Sequence, residues 1–597
     1  MPRISSAKAI WFFFIIAALI IGLVLVAVTS LPFETIKPRL DRLASDKSLE
    51  SFTPSLQARL SPLKWVGSIF LLFAWIAVAV RNRSQRLVHW VLGHLKLAFK
   101  KLSTDFDKLL LSLRGLAREK NHLLVLGIVF VLGIVNSAML LSRPMWYDEA
   151  YTFNAFASRP LWRIVTDYHL PNNHVFHSVL VHLAYRAFGN HPWVVRLPAF
   201  LAGVSLIPAG YLAARMFFST DTALVASALI AFFPILINYT TNARGYTLVS
   251  LFTLLLLGLG AYLKHRDNRA AWALMILFSV LGLYTVPTML FPFGAISLWL
   301  LLSRLFQRKN ALRFDPFLRH LILFGVLTAL LVLLLYTPIV LVTGMEKIVG
   351  STFVASIDGQ RFWRVLVRRL TQTWDVFTKG VPTSVVWILV LGFVVAAIFR
   401  WKKMAFPFIL VLFSAAVVLL RRVVPFDRMW LFAVPIFLIW AAAGLVFIFD
   451  HTLDAWLKRW PTARVTLQIG LLVLLCAPMI VTGAAYHHKR DATQAYARNL
   501  VLELQDELTH TDVVVTTFPD DAPIRYYIEF YDVGSEGIFS YQSGEFQRVI
   551  VLVNEPRGQT IESVLEKQGF PLEWLDMQSA EAIGQHKHVT IYAVEHR

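Results

Sequence analysis

Thirteen apolar runs recur along this 597-residue chain, many of them about 20 residues long, the length that crosses a hydrocarbon core roughly 30 Å thick. No other feature narrows the possible folds as far. Backbone groups inside a bilayer must be satisfied within their own segment, so runs of this length predict transmembrane helices. They lie at 9–31, 64–80, 122–141, 193–213, 222–240, 244–263, 271–288, 289–303, 319–342, 384–399, 405–420, 429–449 and 464–483. The Pro-rich join near Pro287 and Pro292 separates the two least distinct of them. The first run follows a short basic start, Arg3 and Lys8, and reads as an uncleaved anchor instead of a signal peptide, being long for an h-region.

Hydrophobic residues make up 57% of the chain and charged ones only 16%, which sets it apart from soluble domains. The net charge of +20 does not point to nucleic acid, because Lys and Arg sit mainly between the apolar runs, as the positive-inside rule requires. The densest clusters, Lys264–Arg269, Arg304–Arg313 and Arg400–Lys403, fall on one side if the N-terminus is cytoplasmic. Parity then places the C-terminus outside. Val175–Phe188 tests this arithmetic. It is apolar enough to suggest a span, yet His174, His177, Ser178, His182 and Arg186 recur at helical spacing, so it reads as an amphipathic helix at the outer surface. Residues 81–121 hold ten Lys and Arg. Leu87, Val91, Leu95, Phe99 and Leu102 recur there every three to four positions, predicting a helix on an anionic inner leaflet, with a solvated connector as the alternative. The single cysteine, Cys476, lies in an apolar run; it can form no disulfide within the chain and no Cys-based zinc site.

The tail from about 486 to 597 changes character. Helices are expected over Ala492–Leu508, Ala522–Phe530 and Ile561–Gln568, and strands over Val513–Thr517, Arg548–Val553 and Val589–Val594. Alternating strands and helices predict a small extracytoplasmic α/β domain. The chain therefore divides into two N-terminal helices with their basic segment (1–121), a membrane core (122–485) containing a large outer loop (142–192), and the tail domain (486–597). It has no P-loop, no GxGxxG and no internal repeat.

Chemistry concentrates at the outer ends of the spans. The loop Ser142–His174 opens Met145-Trp146-Tyr147-Asp148-Glu149-Ala150-Tyr151 and continues through Asp167, His169, Asn172, Asn173 and His174 to His177. Carboxylates beside lipid are costly and need a reason. Two further outer turns carry arginines, Asn242-Ala243-Arg244-Gly245-Tyr246 and Pro425-Phe426-Asp427-Arg428. An arginine held at a span end can hydrogen-bond a phosphate whose lipid tail lies in the bilayer; interfacial snorkelling is the plainer reading. His174 and His177 stand i, i+3 on one helix face and could present two ligands to a divalent metal, but the polar face of an interfacial helix is the favoured reading and no cofactor is expected.

These words, in this order, resemble the GT-C superfamily of lipid-phosphate-sugar glycosyltransferases, in the bacterial branch related to protein O-mannosyltransferases and the aminoarabinose transferase of lipid A. The matching residues are Asp148-Glu149-Ala150-Tyr151, then Phe188-Gly189 and Trp193-Val194-Val195-Arg196-Leu197-Pro198-Ala199, then Ala243-Arg244-Gly245-Tyr246, and Asp427-Arg428-Met429-Trp430 with Pro435. They span roughly residues 120–450. Where the family usually carries His-Pro-Pro in its second loop motif, this chain has Asn172-Asn173-His174-Val175. The resemblance implies transfer of a hexose or pentose from a polyprenyl-phosphate carrier to a glycan, lipid or protein acceptor, by single displacement with inversion. It implies Asp148 as base, with Glu149 beside it in the catalytic pair, and Arg244 and Arg428 on the donor phosphate. Tyr147, Asp167, His169, Asn172, Asn173, His174, His177 and Tyr246 are the candidates for holding the sugar or acceptor. A transporter or flippase for a lipid-linked glycan is the alternative, disfavoured because the polar groups gather at one face and not at the midplane. A scaffold presenting the tail domain is a third reading.

Overall fold

The computed structural model describes residues 6–41, 52–116, 120–307, 315–349, 356–459, 461–505, 507–509, 511–533 and 546–597. Every expected apolar run is helical. Among the described residues, seven helices are long and apolar enough to cross a membrane, and up to ten are if each bent pair counts as one span. Three shorter apolar helices, His122–Ala138, Arg269–Thr285 and Ala405–Arg421, accompany them. One bend has a clear cause. Pro234 pushes Phe233 into extended backbone (φ −72°, ψ 118°), because the proline ring clashes with a helical predecessor. The helices Thr220–Phe232 and Pro234–Thr240 consequently meet at 60°.

Burial separates the central helices from the peripheral ones. Pro192–Phe217 and Tyr246–Leu263 are mostly buried, whereas Pro316–Val342 presents Leu327, Leu330, Leu333 and Leu334 outward. An apolar surface this extensive suits lipid, not water. Close helix approach in the centre depends on glycine: a Cβ on Gly444 would lie 1.7 Å from the Gly392 carbonyl oxygen of the Thr383–Phe399 helix, the small-residue contact that membrane helices use to pack. At the N-terminus, Ser6–Ser30 and Leu63–Ala79 pair through Gly22 and Gly67 around a small cluster of their own that includes Trp11, Ile15 and Ala74.

Two sets of contacts mark the two ends of the bundle. At one, the Arg81–Leu116 helix meets the turn before Arg269–Thr285: Asn268 Nδ2 donates to the Asp105 carbonyl at 2.7 Å and Arg266 to Ser112 Oγ at 2.6 Å. Lys403 bonds the Phe217 carbonyl at the same end. At the other end, Arg196 in the first turns of Pro192–Phe217 donates to the carbonyls of Leu141 and Arg143 at 2.7 and 2.6 Å. Residues 142–191 therefore return to the end from which they leave, and Val175–Phe188 does not cross. It is a helix, as expected, but the first part of its polar stripe points inward, and only Arg186 at its end is exposed. His177 and Ser178 are fully buried while Leu183 and Phe188 are exposed, because this stripe packs on the rest of the loop instead of facing water. Part of the Arg304–Arg313 cluster, residues 308–314, lies outside the described residues.

The tail folds as a mixed four-stranded sheet of β1 (Asp512–Thr516), β2 (Arg548–Val553), β3 (Glu581–His586) and β4 (Val589–Glu595), in the order β1-β2-β4-β3. β1 and β2 are parallel and bury nearly continuous valine-rich runs, while β4 pairs antiparallel with β2 and β3. Helices Tyr496–Leu504, Asp521–Tyr531 and Ile561–Lys567 cover it. Besides short helices such as Phe33–Asp41 and Pro54–Leu60, two larger features lie outside the expectations above. β3 is an edge strand, half exposed and irregular between Ala582 and Gly584, so it has no apolar run to betray it. Gly359–Thr378 is a long arginine-rich amphipathic helix between spans.

Candidate active site

The Tyr147–Thr152 turn organises the loop. Its Glu149 is 0% exposed, and all four carboxylate bonding positions are used. Oε1 accepts from Arg196 Nε at 2.9 Å and from the Ala243 amide at 2.6 Å; Oε2 accepts from Arg196 Nη2 at 2.7 Å and from the Trp146 amide at 3.1 Å. Burial alone would push this carboxyl up, but Arg196 and its other donors hold it below the usual carboxylate range. Arg196 is equally saturated, with its remaining N–H groups on backbone carbonyls. This pair ties the loop to the Pro192–Phe217 helix and to the 242–245 turn. Glu149 thus has no oxygen left for a substrate.

Asp148, one residue earlier, is placed differently. Its side chain is 34% exposed and lies 3.4 Å from Arg428 Nη1. Asp148 and Thr152, a helical turn apart, face the arginines. Arg244, 3% exposed, donates Nη1 to Thr152 Oγ1 at 2.7 Å, to the Asn172 carbonyl at 3.2 Å and to the Asp148 carbonyl at 3.4 Å. Its Nε has no acceptor among the described residues, nor has Arg428 Nε. Arg244, Arg428 and Arg369 outnumber Asp148 and Asp427, which both act on Arg428, so this spot is net positive, and buried unmatched donors are costly.

His174 explains the geometry of Arg244. The Gly245 amide donates to His174 Nδ1 at 2.8 Å, so the neutral ring carries its proton on Nε2. Arg244 Nη2, 3.2 Å from Nε2, then faces a donor, not a lone pair. Burial and the neighbouring Arg244 hold His174 well below its ordinary value, which keeps the ring neutral. A Cβ on Gly245 would sit 2.3 Å from Thr285 Cγ2 and 3.1 Å from His174 Nδ1, so only glycine lets the amide come this close. Tyr246 lies edge-on to His174 and to Tyr239, at 4.8 and 5.8 Å between centroids. Beyond Phe426, Arg369 of the unforeseen Gly359–Thr378 helix stacks at 3.9 Å from the ring that Arg428 covers from 5.2 Å.

The remaining candidates lie elsewhere. Asn173 is spent on the loop itself, donating to the Ile164 and Asp167 carbonyls at 3.0 and 2.8 Å and accepting from Ser178. His177 is fully buried behind Arg244, and burial pushes it down to about 3. Asp167 and His169 line a separate cleft, with Tyr151, between the loop and the tail. There, Asp167 Oδ1 bonds His169 Nδ1 at 2.7 Å and His169 Nε2 bonds the Tyr151 hydroxyl at 3.0 Å. Tyr147 packs edge-on to Phe518 of the tail. Among the described residues, no group of three or more His, Cys, Asp or Glu is arranged to hold a metal. Both nitrogens of His174 face donors, and a metal there would displace the Gly245 contact.

Sequence reasoning missed Thr152, the docking of the tail, and Arg143. Buried Arg143 donates to the carbonyls of Asn238 and Thr241, each at 3.0 Å; burial first, then nearby Arg196, lowers it to about 9. The Thr152 contact had one signal, its i+4 spacing from Asp148. The docking had none, since its partners lie more than 350 residues apart.

Residues 174–342 match the family model described as dolichyl-phosphate-mannose-protein mannosyltransferase. No curated protein matches the chain. Among solved structures, ArnT from Cupriavidus metallidurans shares the fold. Its apo state aligns at 13% identity with a TM-score of 0.52, and the form bound to undecaprenyl phosphate at 12% with a TM-score of 0.54. Each alignment covers 79% of this chain and 97% of that one. The family model and the shared fold together support the resemblance to GT-C lipid-phosphate-sugar glycosyltransferases, and an integral membrane protein.

Proposed function

We propose that this protein transfers a sugar from a polyprenyl-phosphate carrier to an acceptor at the extracytoplasmic face of a bacterial inner membrane. The observation that carries the reading is the convergence of one partly exposed carboxylate, Asp148, with two guanidiniums, Arg428 at 3.4 Å and Arg244 on the same helical turn. The undecaprenyl phosphate bound by ArnT is the kind of ligand this net-positive spot suits.

In the reaction, the acceptor oxygen or nitrogen attacks the anomeric carbon while the bond from that carbon to the phosphate oxygen breaks. The electron pair leaves with the polyprenyl phosphate, and the acceptor proton passes to the Asp148 carboxylate. One displacement inverts the anomeric centre. Arg428 and Arg244, whose Nε groups have no acceptor among the described residues, are placed to neutralise the charge that builds on the leaving oxygens, where preorganised donors contribute most. Glu149 contributes by holding the turn and not by touching substrate. The deciding assay is transfer from a polyprenyl-phosphate sugar by Asp148→Asn, with binding of the carrier measured alongside. Lost transfer with carrier binding retained supports the reading, and full transfer removes Asp148 from the mechanism.

A further inference from the structure

The N-terminal helix pair carries a groove of about 790 Å³ that the site around Asp148 does not use. Ser6–Ser30 and Leu63–Ala79 cross where a Cβ on Gly22 or Gly67 would lie 2.9 Å from the carbonyl oxygen of the other glycine. Between that crossing and Arg81, the two helices and the first turns of Arg81–Leu116 wall the groove. Phe14, Ile21, Phe70, Phe73 and Leu87 line it, and all five are exposed.

One end of the groove is fixed and cationic. Trp11 Nε1 donates to Ser84 Oγ at 3.0 Å, and Ser84 Oγ donates to the Ala77 carbonyl at 2.7 Å, so all three helices are joined there. With Trp11 and Ser84 spent on each other, Arg83 is the one lining group, among the described residues, left to meet a polar ligand. It is exposed and has neither an acceptor nor an ion-pair partner among the described residues. Arg81 covers the Trp11 and Phe12 rings at 5.9 and 5.8 Å, and Arg86 follows one turn along the helix. Ser6–Ser30 contains no Asp or Glu, and none occurs between Glu50 and Asp105. The walls of the groove therefore hold no acid to neutralise these cations.

An exposed apolar trough ending in unmatched guanidiniums complements a lipid with a net negative head, its chain along the aromatic and aliphatic side chains and its phosphate on arginine. A second copy of the pair would cover the apolar walls, but its helices are equally free of acid and would leave Arg83 facing like charge. We propose that the groove binds one anionic phospholipid, with an acyl chain along Phe14, Phe70 and Phe73 and the phosphate on Arg83. The site lies within residues 11–88, outside the 174–342 family match, and stands whether or not the protein is a transferase.

The test is native mass spectrometry of the full-length protein in detergent, titrated with phosphatidylglycerol and, separately, with phosphatidylcholine of the same acyl chains. One phosphatidylglycerol should bind at least ~10-fold more tightly than phosphatidylcholine, whose own cation opposes the arginines. Arg83→Ala should weaken phosphatidylglycerol by ~5-fold or more, and Arg83→Lys by less. Lys100→Ala, exposed on the same helix but outside the groove, should bind as the wild type does. Phosphatidylglycerol should raise the melting temperature of the wild type and of Lys100→Ala but not of Arg83→Ala, since a ligand stabilises only the fold that binds it. An equal affinity for the two lipids, or wild-type binding by Arg83→Ala, would overturn the proposal. An equal loss in Lys100→Ala would overturn it too, by showing only general attraction to a basic surface. A dimer that phosphatidylglycerol does not dissociate would give the groove to a second copy. Displacement of phosphatidylglycerol by equimolar undecaprenyl phosphate, with the same dependence on Arg83, would give it to the carrier; either result sinks the phospholipid assignment.

Discussion

The Asp148 and Glu149 carboxylates are neighbours in sequence and opposites in circumstance, so their amides should fail differently. Asp148→Asn keeps the shape of a third-exposed side chain and removes the proton acceptor. Transfer should fall by ~10²-fold or more, the usual worth of a general base, with an unchanged melting temperature. Glu149→Gln strips the charge from a pair buried to 0% on both sides and leaves Arg196 unmatched, a loss of about 3–5 kcal/mol. It should melt many degrees lower in detergent, before any question of rate arises. At Arg428 and Arg244, lysine supplies charge without the planar fork; Arg→Lys at either should weaken carrier binding, and wild-type binding in both would reduce them to interfacial anchors. The buried histidines add a pH dependence. His174 and His177 are held below the ordinary histidine value near 6.5, so below that pH the unfolded chain binds protons that the folded one refuses, and stability falls with pH. At pH 5 the loss is up to about 2 kcal/mol per ring. Glu149, depressed instead, keeps its contribution until the pH falls through its lowered folded value. The melting temperature should therefore decline from pH 7 to pH 5, and His177→Leu should flatten part of that slope; an unchanged slope would show that His177 protonates in place.

Among the elements, the Tyr147–Thr152 turn bears the most consequence, being short and held only by its neighbours. A six-residue helix has no stability of its own. The Glu149–Arg196 pair holds it from below, and the tail holds it from above through Tyr527 and Ala522. Tyr527→Phe leaves the buried Met145 amide without an acceptor, a cost of about 1–3 kcal/mol. Amide exchange over residues 142–157 should quicken while β2 stays protected. Equal protection in variant and wild type would mean the loop does not depend on the tail. The 242–245 turn has a similar constraint from the opposite side, since Gly245→Ala would drive a methyl group into Thr285 and His174 and should displace Arg244 along with the ring.

For the whole molecule, the prediction is topological. The contacts among Asp105, Asn268 and Arg269 mark one end of the bundle, and Asp148, Arg428 and the sheet share the other. With the denser Lys and Arg clusters cytoplasmic, exposed Glu573 replaced by cysteine should react with a membrane-impermeant thiol reagent in intact cells, and Asp267 replaced by cysteine should not. Cys476 is buried and gives little background. The reverse labelling pattern would move the site to the cytoplasmic side and end the lipid-carrier mechanism as drawn.

The apolar runs made the long apolar helices legible in the sequence, though not how many of them cross a membrane, because a helix inside lipid satisfies its own backbone and needs only length and hydrophobicity. The valine-rich strands β1, β2 and β4 were legible for a related reason: buried strands declare themselves as apolar runs. β3, half exposed at the sheet edge, and the Gly359–Thr378 helix, whose arginines read as loop charge, did not. The motifs around Asp148, Arg244 and Arg428 could be picked out singly, but their meeting could not, since it depends on turns 96 and 280 residues away folding over one helical turn. Nor could sequence tell Asp148 from Glu149: two adjacent carboxylates look alike until Arg196 buries one of them. The cleft between loop and tail was beyond sequence altogether, because its walls meet only when the tail packs on the loop, and side-chain packing between distant segments leaves no local pattern to read.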